Sequence, residues 1–301
     1  MDPARDLDEI AAIRTILSSA PRPVGWDERR RRIAAVGTVW PVAADIAVQK
    51  VDAGGVPAEW SLAPGSDPDR VLLYLHGGGY CSGGLDSHRR LVTEAGRAAG
   101  ARTLALAFRL APEHPFPAAL DDAVTAWHWL RGQGIAAERI VVGGDSAGGG
   151  LSLALAMRLR DMGEALPGMA WLLSPWTDLT MSGASIAEND AVDPLIHRGY
   201  LEELAAAYVP AGMDRADPRI SPLFGDLAGL PPLMIQVGAA ETLLDDSVRL
   251  ARRAGAANVP VTMQVWPHMI HAFPMWNAGL DAGRRALREA GAAMQALWSE
   301  A

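Results

Sequence analysis

The stretch RIVVGGDSAGGGLSLALAMRLR, residues 139–160, combines an apolar run, a serine flanked by glycines and a long helical pattern. Residues 144–148 fit the pattern Gly-x-Ser-x-Gly, in which a sharp strand-to-helix turn leaves no room for side chains two positions from the serine. Such a turn strains the serine backbone and exposes its hydroxyl at the helix N-terminus. The chain has 31 glycines, so the bare pattern has little weight, but its strand and helix context favours a nucleophilic Ser146.

A second glycine-rich stretch, HGGGYCSGG at residues 76–84, follows the apolar run VLLYL, which reads as a buried strand. Ordering consecutive glycines is costly in backbone entropy, and a flexible turn is the simplest explanation of such a run. The alternative is that bare backbone N–H groups approach a ligand on which negative charge develops. A nucleophilic serine downstream favours the alternative.

Length and composition predict one large α/β domain over residues 1–301, with 50% hydrophobic residues to form its core. The net charge of −8 argues against a nucleic-acid partner or an anionic membrane. We expect a cytoplasmic protein, because no apolar run reaches membrane-spanning length and the acidic N-terminus does not resemble a signal peptide. Cys81, the single cysteine, allows no intrachain disulfide and no cysteine cluster for a metal. A small buried packing residue is the simpler interpretation of Cys81, and a reactive thiol is the other.

Apolar strands alternate with helices from about residue 44 onward, which indicates a mostly parallel sheet covered on both faces. Residues from 177 to about 221 interrupt this alternation, since they contain helical segments and no strand. An excursion of this length suggests an inserted subdomain over the strand ends, where ligands bind in open α/β sheets. The helical segment of about residues 1–42 has no place in the sheet either, so we predict that both segments form one cap.

A serine hydroxyl needs a base to take its proton, and in sites built on this turn the acid and then the histidine follow the serine along the chain. Only His268 and His271 lie beyond the strandless excursion, both in WPHMIHAFPMW after the last predicted strand. We do not expect a metal site there, because no carboxylate or third ligand lies nearby in sequence.

Three carboxylates follow the preceding predicted strand in VGAAETLLDDSVRL, namely Glu241, Asp245 and Asp246. Both aspartates open a predicted helix, where capping explains them without any role in chemistry. Glu241 lies three residues beyond the predicted strand end at Gly238, which favours it as the acid that fixes the imidazole tautomer.

Together these motifs resemble those of the bacterial hormone-sensitive-lipase-like esterases, or family IV, of the α/β-hydrolase superfamily. The resemblance runs from about residue 71 to about residue 274, and the first 40 or so residues match only loosely. It implies an α/β-hydrolase fold, with a mostly parallel central sheet covered by helices and a helical cap. The motifs that carry it are HGGG (76–79), FRLAPEHPFPAALDD (108–122), GDSAGG (144–149), SPW (174–176), DPRISPL (217–223), GLPPLMIQVG (229–238) and HAF (271–273).

The resemblance implies a role for each matching residue. Ser146 corresponds to the nucleophile and His271, in its His-x-Phe context, to the base. Glu241 corresponds to the acid, although it stands in Glu-Thr-Leu where the family usually has Asp-Pro-Leu. The oxyanion hole corresponds to backbone N–H groups of Gly77, Gly78, Gly79 and Ala147.

The implied reaction is hydrolysis of short-chain carboxylic esters through an acyl-serine intermediate, with a small-molecule ester as partner and with no cofactor or metal. Lactone, thioester and amide hydrolysis use the same machinery. The plant gibberellin receptors resemble the same family and bind without catalysis, but they lack the catalytic histidine that this chain retains as His271. The resemblance also implies a homodimer formed through the last strand and the helix after it.

Overall fold

The computed structural model of the chain describes residues 3–300, and their strands form a single eight-stranded sheet. The strands are β1 Ala47–Asp52, β2 Pro57–Leu62, β3 Asp67–Leu75, β4 Ala101–Leu106, β5 Ile140–Asp145, β6 Met169–Leu173, β7 Leu233–Gly238 and β8 Val261–Trp266. Their order across the sheet is β1-β2-β4-β3-β5-β6-β7-β8. Only β2 runs antiparallel to its neighbours, and β3 to β8 pair in parallel, as the sequence predicts.

Helices connect and cover these strands. They are α1 Pro3–Ser18, α2 Trp26–Val39, α3 Leu85–Ala99, α4 Ala118–Gly132, α5 Ala147–Asp161, α6 Ser185–Glu188, α7 Arg198–Tyr208, α8 Leu244–Ala256 and α9 Asp281–Glu300. Short 3-10 helices lie at Ala137–Arg139, Pro222–Phe224 and Phe273–Trp276. Within residues 3–300, no helix is both long enough and apolar enough to pass through a bilayer.

Helices bury both faces of the sheet. Neighbouring side chains on one strand show this, since they point to opposite sides. Leu73 packs in a core cluster with buried side chains of α4, α5 and α8. Leu72, the next residue along β3, packs in a second cluster with α3 and α9. This layering confirms the predicted fold class of a mostly parallel sheet covered by helices. It also explains why the strands read as continuous apolar runs and not as alternating ones.

The carboxyl ends of the parallel strands meet at one edge of the sheet, where four loops converge. The glycine run follows β3, Ser146 follows β5, Glu241 follows β7 and His271 follows β8. The parallel register therefore brings together residues that lie far apart in the sequence.

The two N-terminal helices contact the loops at this edge. In α1, Arg14 donates a hydrogen bond to the carbonyl of Val192 at 2.6 Å, and Ile10 packs against buried side chains of the loop after β8. In α2, Arg30 donates to the carbonyl of Cys81 at 2.9 Å, just beyond the glycine run. Residues 177–221 contain α6 and α7 and no strand. That both segments form a single cap stays a prediction.

Candidate active site

Ser146 occupies the turn between β5 and α5 in a strained backbone conformation. Its φ of 54° and ψ of −124° lie outside the regions that a serine ordinarily adopts. A β-carbon on either Gly144 or Gly148 would overlap the carbonyl oxygen of Leu75 on the neighbouring strand. The glycines two positions from the serine are therefore needed for the reason that the sequence pattern suggests. The chain can pass β3 closely enough to turn only without those side chains.

The glycine run packs tightly beside this turn. Gly78 and Gly79 have φ values of 111° and 64°, which L-residues with a β-carbon rarely adopt. A β-carbon on Gly79 would overlap the side chain of Leu204, which α7 places directly over the loop. The N–H of Gly77 donates to Asp145 Oδ1 at 2.9 Å, so this group is already occupied and does not face a ligand. The prediction of Gly77 as an oxyanion donor is therefore wrong, and Gly78, Gly79 and Ala147 remain the predicted donors.

Asp145 links the glycine run to the turn that carries the serine. Its buried carboxylate accepts hydrogen bonds from Tyr74 Oη at 2.8 Å and from His88 Nε2 at 3.3 Å, in addition to the Gly77 N–H. Burial alone raises the pKa of this carboxyl, but the charge and hydrogen bond of His88, with the Tyr74 hydroxyl, lower it to about 2. Asp145 is thus ionised and holds the loop through charge-assisted hydrogen bonds.

His76, the residue before the three glycines, packs against the glycine loop and hydrogen-bonds to it. Its ring stacks on Phe108 with centroids 4.2 Å apart, and its Nδ1–H donates to the carbonyl of Gly77 at 2.7 Å. Burial and the nearby His88 lower the pKa of His76 to about 4, so the ring is neutral at pH 7. His76, His88 and Asp145 are supports of this loop that were not predicted from the sequence. The only signal was that Asp145 and His76 lie inside the two glycine motifs.

The structure brings together Glu241 and His271, the predicted acid and base. His271 Nδ1–H donates to Glu241 Oε1 at 3.2 Å, and both side chains are buried. This hydrogen bond leaves the other ring nitrogen free to accept a proton. His268, the alternative base, is exposed and lies at the surface end of the same loop.

Opposing effects act on the pKa of His271. Burial lowers it, but the hydrogen bond and charge of Glu241, together with the charges of Asp193 and Asp145, raise it above its ordinary value of 6.5. The loop after β8 and the serine turn both contact the chain where β6 ends, because the Ala272 N–H donates to Ser174 Oγ and the Ser146 N–H donates to the carbonyl of Leu173.

Ser174, which follows β6, joins the acid loop to the base loop. Its hydroxyl donates to Glu241 Oε2 at 2.8 Å and accepts from the Ala272 N–H at 3.1 Å. Glu241 Oε2 also accepts from the Gly238 N–H at 2.9 Å. Ser174 has a φ of 45°, a strained conformation for serine. It belongs to the SPW motif, but no property of that motif in the sequence indicated this bridging role.

Asp245 and Asp246, the alternative acids, hydrogen-bond to the excursion that follows β6. Asp246 Oδ2 accepts from the backbone N–H groups of Thr177 and Asp178 at 2.7 and 2.9 Å, and Asp245 Oδ2 accepts from the Ser185 N–H at 3.0 Å. Both aspartates lie in the first turn of α8, as the sequence predicts, but neither caps that helix, because its N-cap position is Leu243 and has no side-chain cap bond. Burial raises the pKa of Asp246 to about 7.

Cys81 is fully buried, and burial raises the pKa of its thiol to about 12. The thiol therefore stays protonated at neutral pH, and the structure confirms a packing residue over a reactive one. Within residues 3–300, no three or more His, Cys, Asp or Glu side chains gather in a way that would hold a metal ion.

Comparison with known proteins assigns the chain to a family. Residues 72–275 match a family described as having the alpha/beta hydrolase fold. An acetyl-hydrolase of Streptomyces hygroscopicus is 42% identical over 280 residues, covering 93% of this chain and 91% of that protein. An ethyl acetate hydrolase of Pseudomonas putida is 37% identical, covering 76% of this chain and 74% of that protein.

A solved structure gives the same assignment across the whole fold. The crystal structure of an esterase from the bacterial hormone-sensitive lipase family superposes with a TM-score of 0.93 at 41% identity, covering 99% of each chain. The serine on its strained turn and the buried histidine–carboxylate pair are the chemistry that such enzymes need. The chain is thus a serine carboxylesterase and belongs to the bacterial hormone-sensitive-lipase-like esterases of the α/β-hydrolase superfamily.

Proposed function

We propose that the chain hydrolyses carboxylic esters of short-chain acids through an acyl-enzyme on Ser146, with His271 as base and Glu241 as acid. The observation that carries this assignment is the buried hydrogen bond of 3.2 Å between His271 Nδ1 and Glu241 Oε1. Asp245 and Asp246 hydrogen-bond elsewhere, which leaves Glu241 as the carboxylate that orients the base. The extra methylene of glutamate relative to aspartate is accommodated because Ser174 and Gly238 hold its second oxygen.

The reaction runs in two halves. His271 Nε2 takes the proton of Ser146 Oγ as the oxygen attacks the ester carbonyl, and the resulting imidazolium protonates the leaving alcohol as the C–O bond breaks. In the second half His271 takes a proton from water, whose oxygen attacks the acyl-serine, and then returns that proton to Ser146 as the acid departs. Glu241 accepts the Nδ1–H bond throughout and stabilises the imidazolium through it.

The oxyanion in each half is stabilised by backbone N–H groups of Gly78, Gly79 and Ala147. Ala147 is the first residue of α5, where the N–H groups have no partner within the helix and the helix dipole favours negative charge. Asp145 supports this arrangement by fixing the Gly77 N–H, which holds the neighbouring glycines against the turn. Removing one oxyanion donor typically costs about 10²–10³ in turnover.

A cap formed by about residues 1–42 and 177–221 would limit the length of the acyl chain. Its support lies in the contacts of α1 and α2 with the excursion, including Arg14 with Val192 and an ion pair between Arg29 and Glu203 of α7. Side chains of α7 lie directly over the glycine loop, and Tyr208 stacks on Tyr80 with ring centroids 3.7 Å apart. Such close packing favours a short acyl chain over a long one. The names acetyl-hydrolase and ethyl acetate hydrolase of two relatives point the same way.

The test is a series of p-nitrophenyl esters from acetate to palmitate, with a lactone, a thioester and an anilide of matched acyl size. We expect kcat/KM for the butyrate ester to exceed that for the palmitate ester at least about tenfold, because the longer chain meets the packed cap. We expect the esters to be better substrates than the anilide. Equal kcat/KM for butyrate and palmitate would contradict the short-chain assignment, and a stronger preference for the thioester or lactone would change the substrate class.

A further inference from the structure

Residues 185–193 of the excursion, here called the tether, are hydrogen-bonded to the acid loop at residues 241–246. Ser185 Oγ donates to the carbonyl of Thr242 at 2.7 Å, and Asn189 Nδ2 donates to the carbonyl of Glu241 at 2.8 Å. At its far end Asp193 accepts the N–H of Thr242 at 2.9 Å. The backbone on both sides of the Glu241 side chain is therefore fixed by a segment about 50 residues earlier in the chain.

The carboxylate of Asp193 is the most deeply buried charge in the tether, with 2% of the residue exposed. Oδ2 accepts from Thr242 N–H and, at 3.3 Å, from Thr242 Oγ1. Oδ1 accepts from the N–H groups of Leu195 and Ile196 at 2.9 and 3.0 Å. These hydrogen bonds come from neutral groups and none from a cation. A buried carboxylate held in this way depends on each of these hydrogen bonds to replace the water it has lost.

Thr242, which hydrogen-bonds to Asp193, is a position at which this sequence differs from the family pattern. The family pattern Asp-Pro-Leu has a proline in the place of Thr242, and proline has no N–H to donate. This chain has Glu241-Thr242-Leu243, so the longer acid and the new donor occur side by side. Both bonds of Thr242 to Asp193 Oδ2 depend on that replacement.

We propose that Asp193 is a positioning residue for ester hydrolysis, which holds Thr242 and thereby fixes Glu241 where it reaches His271. The proposal rests on the assignment of Glu241 as the acid of the reaction. Asp193 contacts neither substrate nor base in this scheme. It acts through the backbone of the acid loop and through its charge.

The charge of Asp193 gives the proposal a signature that a purely structural residue lacks. The charges of three carboxylates act on His271, namely Glu241 from the loop after β7, Asp193 from the tether and Asp145 from the end of β5. Against the effect of burial they raise the pKa of His271. Neutralising Asp193 therefore lowers the pKa of His271. In the pH profile of kcat/KM, the acid limb reports this group in the free enzyme.

The experiment compares wild type with Asp193→Asn and, as a matched control, Asp190→Asn. Asp190 lies in the same tether but accepts the Arg198 N–H and not a donor of the acid loop. The rate per active site is obtained by titrating functional serine with an organophosphate, so that unfolded protein is not counted.

For Asp193→Asn we expect kcat to fall about tenfold, as for loss of a buried hydrogen-bond partner, with KM changed less than about twofold. The acid limb moves to lower pH. Asp190→Asn leaves the kcat and the acid limb as in wild type.

A double-mutant cycle with Glu241→Gln separates failure of this proposal from failure of the assignment on which it rests. If Asp193 acts through Glu241, Asp193→Asn lowers kcat less than about twofold in the Glu241→Gln background. If Glu241→Gln is severely impaired and Asp193→Asn lowers kcat by the same factor in both backgrounds, the positioning role is overturned while the acid assignment stands. If Glu241→Gln keeps wild-type kcat, both are overturned.

Thr242→Pro provides a second variant in case Asp193→Asn does not fold. It restores the family residue, removes both donors to Asp193 Oδ2 and keeps the charge of Asp193. We expect a loss of kcat comparable to that of Asp193→Asn, with a smaller shift of the acid limb. Wild-type kcat in Thr242→Pro, or a lower melting temperature and higher KM in Asp193→Asn with kcat and acid limb unchanged, would show that the tether is only structural.

Discussion

The proposed nucleophile and the proposed acid lie at the same edge of the sheet, but they are held in place in different ways. Ser146 is fixed by backbone packing, since Gly144 and Gly148 pass β3 too closely to carry a side chain. Glu241 is fixed by side chains from distant segments, with Ser174 on its carboxylate and Asn189 on its backbone. The two regions should therefore respond differently to substitution.

This difference is one of sequence distance. The glycines that permit the serine turn lie in one continuous motif, so the motif is readable from the sequence, although the backbone of Ser146 also bonds to Leu173 and Trp176. Two partners of Glu241, Asn189 and Ser174, lie 52 and 67 positions away in the sequence, and no local pattern connects them to it. We therefore expect the serine turn to lose function when one of its glycines is replaced. At Glu241, each replaced partner should remove one hydrogen bond and only part of the function.

The largest effect among substitutions that leave the serine in place is expected for Glu241→Gln. Because the Gly238 N–H and Ser174 Oγ both donate to Oε2, the amide oxygen of glutamine occupies that position and its NH₂ faces His271. The imidazole Nδ1 must then accept instead of donate, which places the remaining proton on Nε2 and blocks the base. We expect kcat to fall by up to about 10⁴.

Asp245→Asn and Asp246→Asn are the matched controls for this substitution. Each removes a carboxylate from the same loop and helix, but both side chains hydrogen-bond to the excursion and not to His271. Their kcat should stay within about tenfold of wild type, as for loss of a single buried hydrogen bond. A severe loss at either aspartate, with Glu241→Gln near wild type, would move the acid assignment to that residue.

A smaller loss, about 10²-fold in kcat, is expected for Gly79→Ala in the glycine run. The new β-carbon overlaps Leu204, and a φ of 64° is strained for alanine, so the loop and its N–H groups shift. Leu204→Ala added to this variant removes the overlap but leaves the strain, and should restore part of the rate.

Gly84→Ala tests whether this loss belongs to the crowded glycines or to the loop in general. Gly84 ends the same run, has extended backbone, and has no atom within 4 Å of the position that a β-carbon would take. We expect it to keep wild-type kcat. Equal losses in both variants, with no recovery when Leu204 is shortened, would argue against close packing of α7 on the glycine loop.

The sequence predicted the alternation of strands and helices and the serine turn because both depend on local patterns. Apolar runs such as VLLYL mark strands buried on two faces, and Gly144 and Gly148 mark a turn that only glycine permits. His271, the base predicted from the sequence, follows the last strand and lies buried beside Glu241, and its role stays a prediction.

What the sequence could not show are contacts made across the sheet edge. Asp245 and Asp246 begin a helix, a place where acidic side chains usually cap, yet they reach the excursion that starts 69 residues before Asp246. Ser174 and Asp193 carry no motif of their own that indicates a bond to the acid loop. Their roles depend on where the excursion returns to the sheet, which is a property of the fold and not of any short pattern.

Covalent labelling of the serine tests the proposed mechanism most directly. Diethyl p-nitrophenyl phosphate, at one equivalent per chain, should lose p-nitrophenolate to Ser146 Oγ and leave one diethylphosphoryl group on the enzyme. We predict that activity falls in proportion to label, that peptide mapping places the label on Ser146, and that Ser146→Ala is folded, unlabelled and lower in kcat by about 10⁶. Complete inactivation with the label on another residue, or substantial turnover by Ser146→Ala, would contradict an acyl-serine mechanism at this turn.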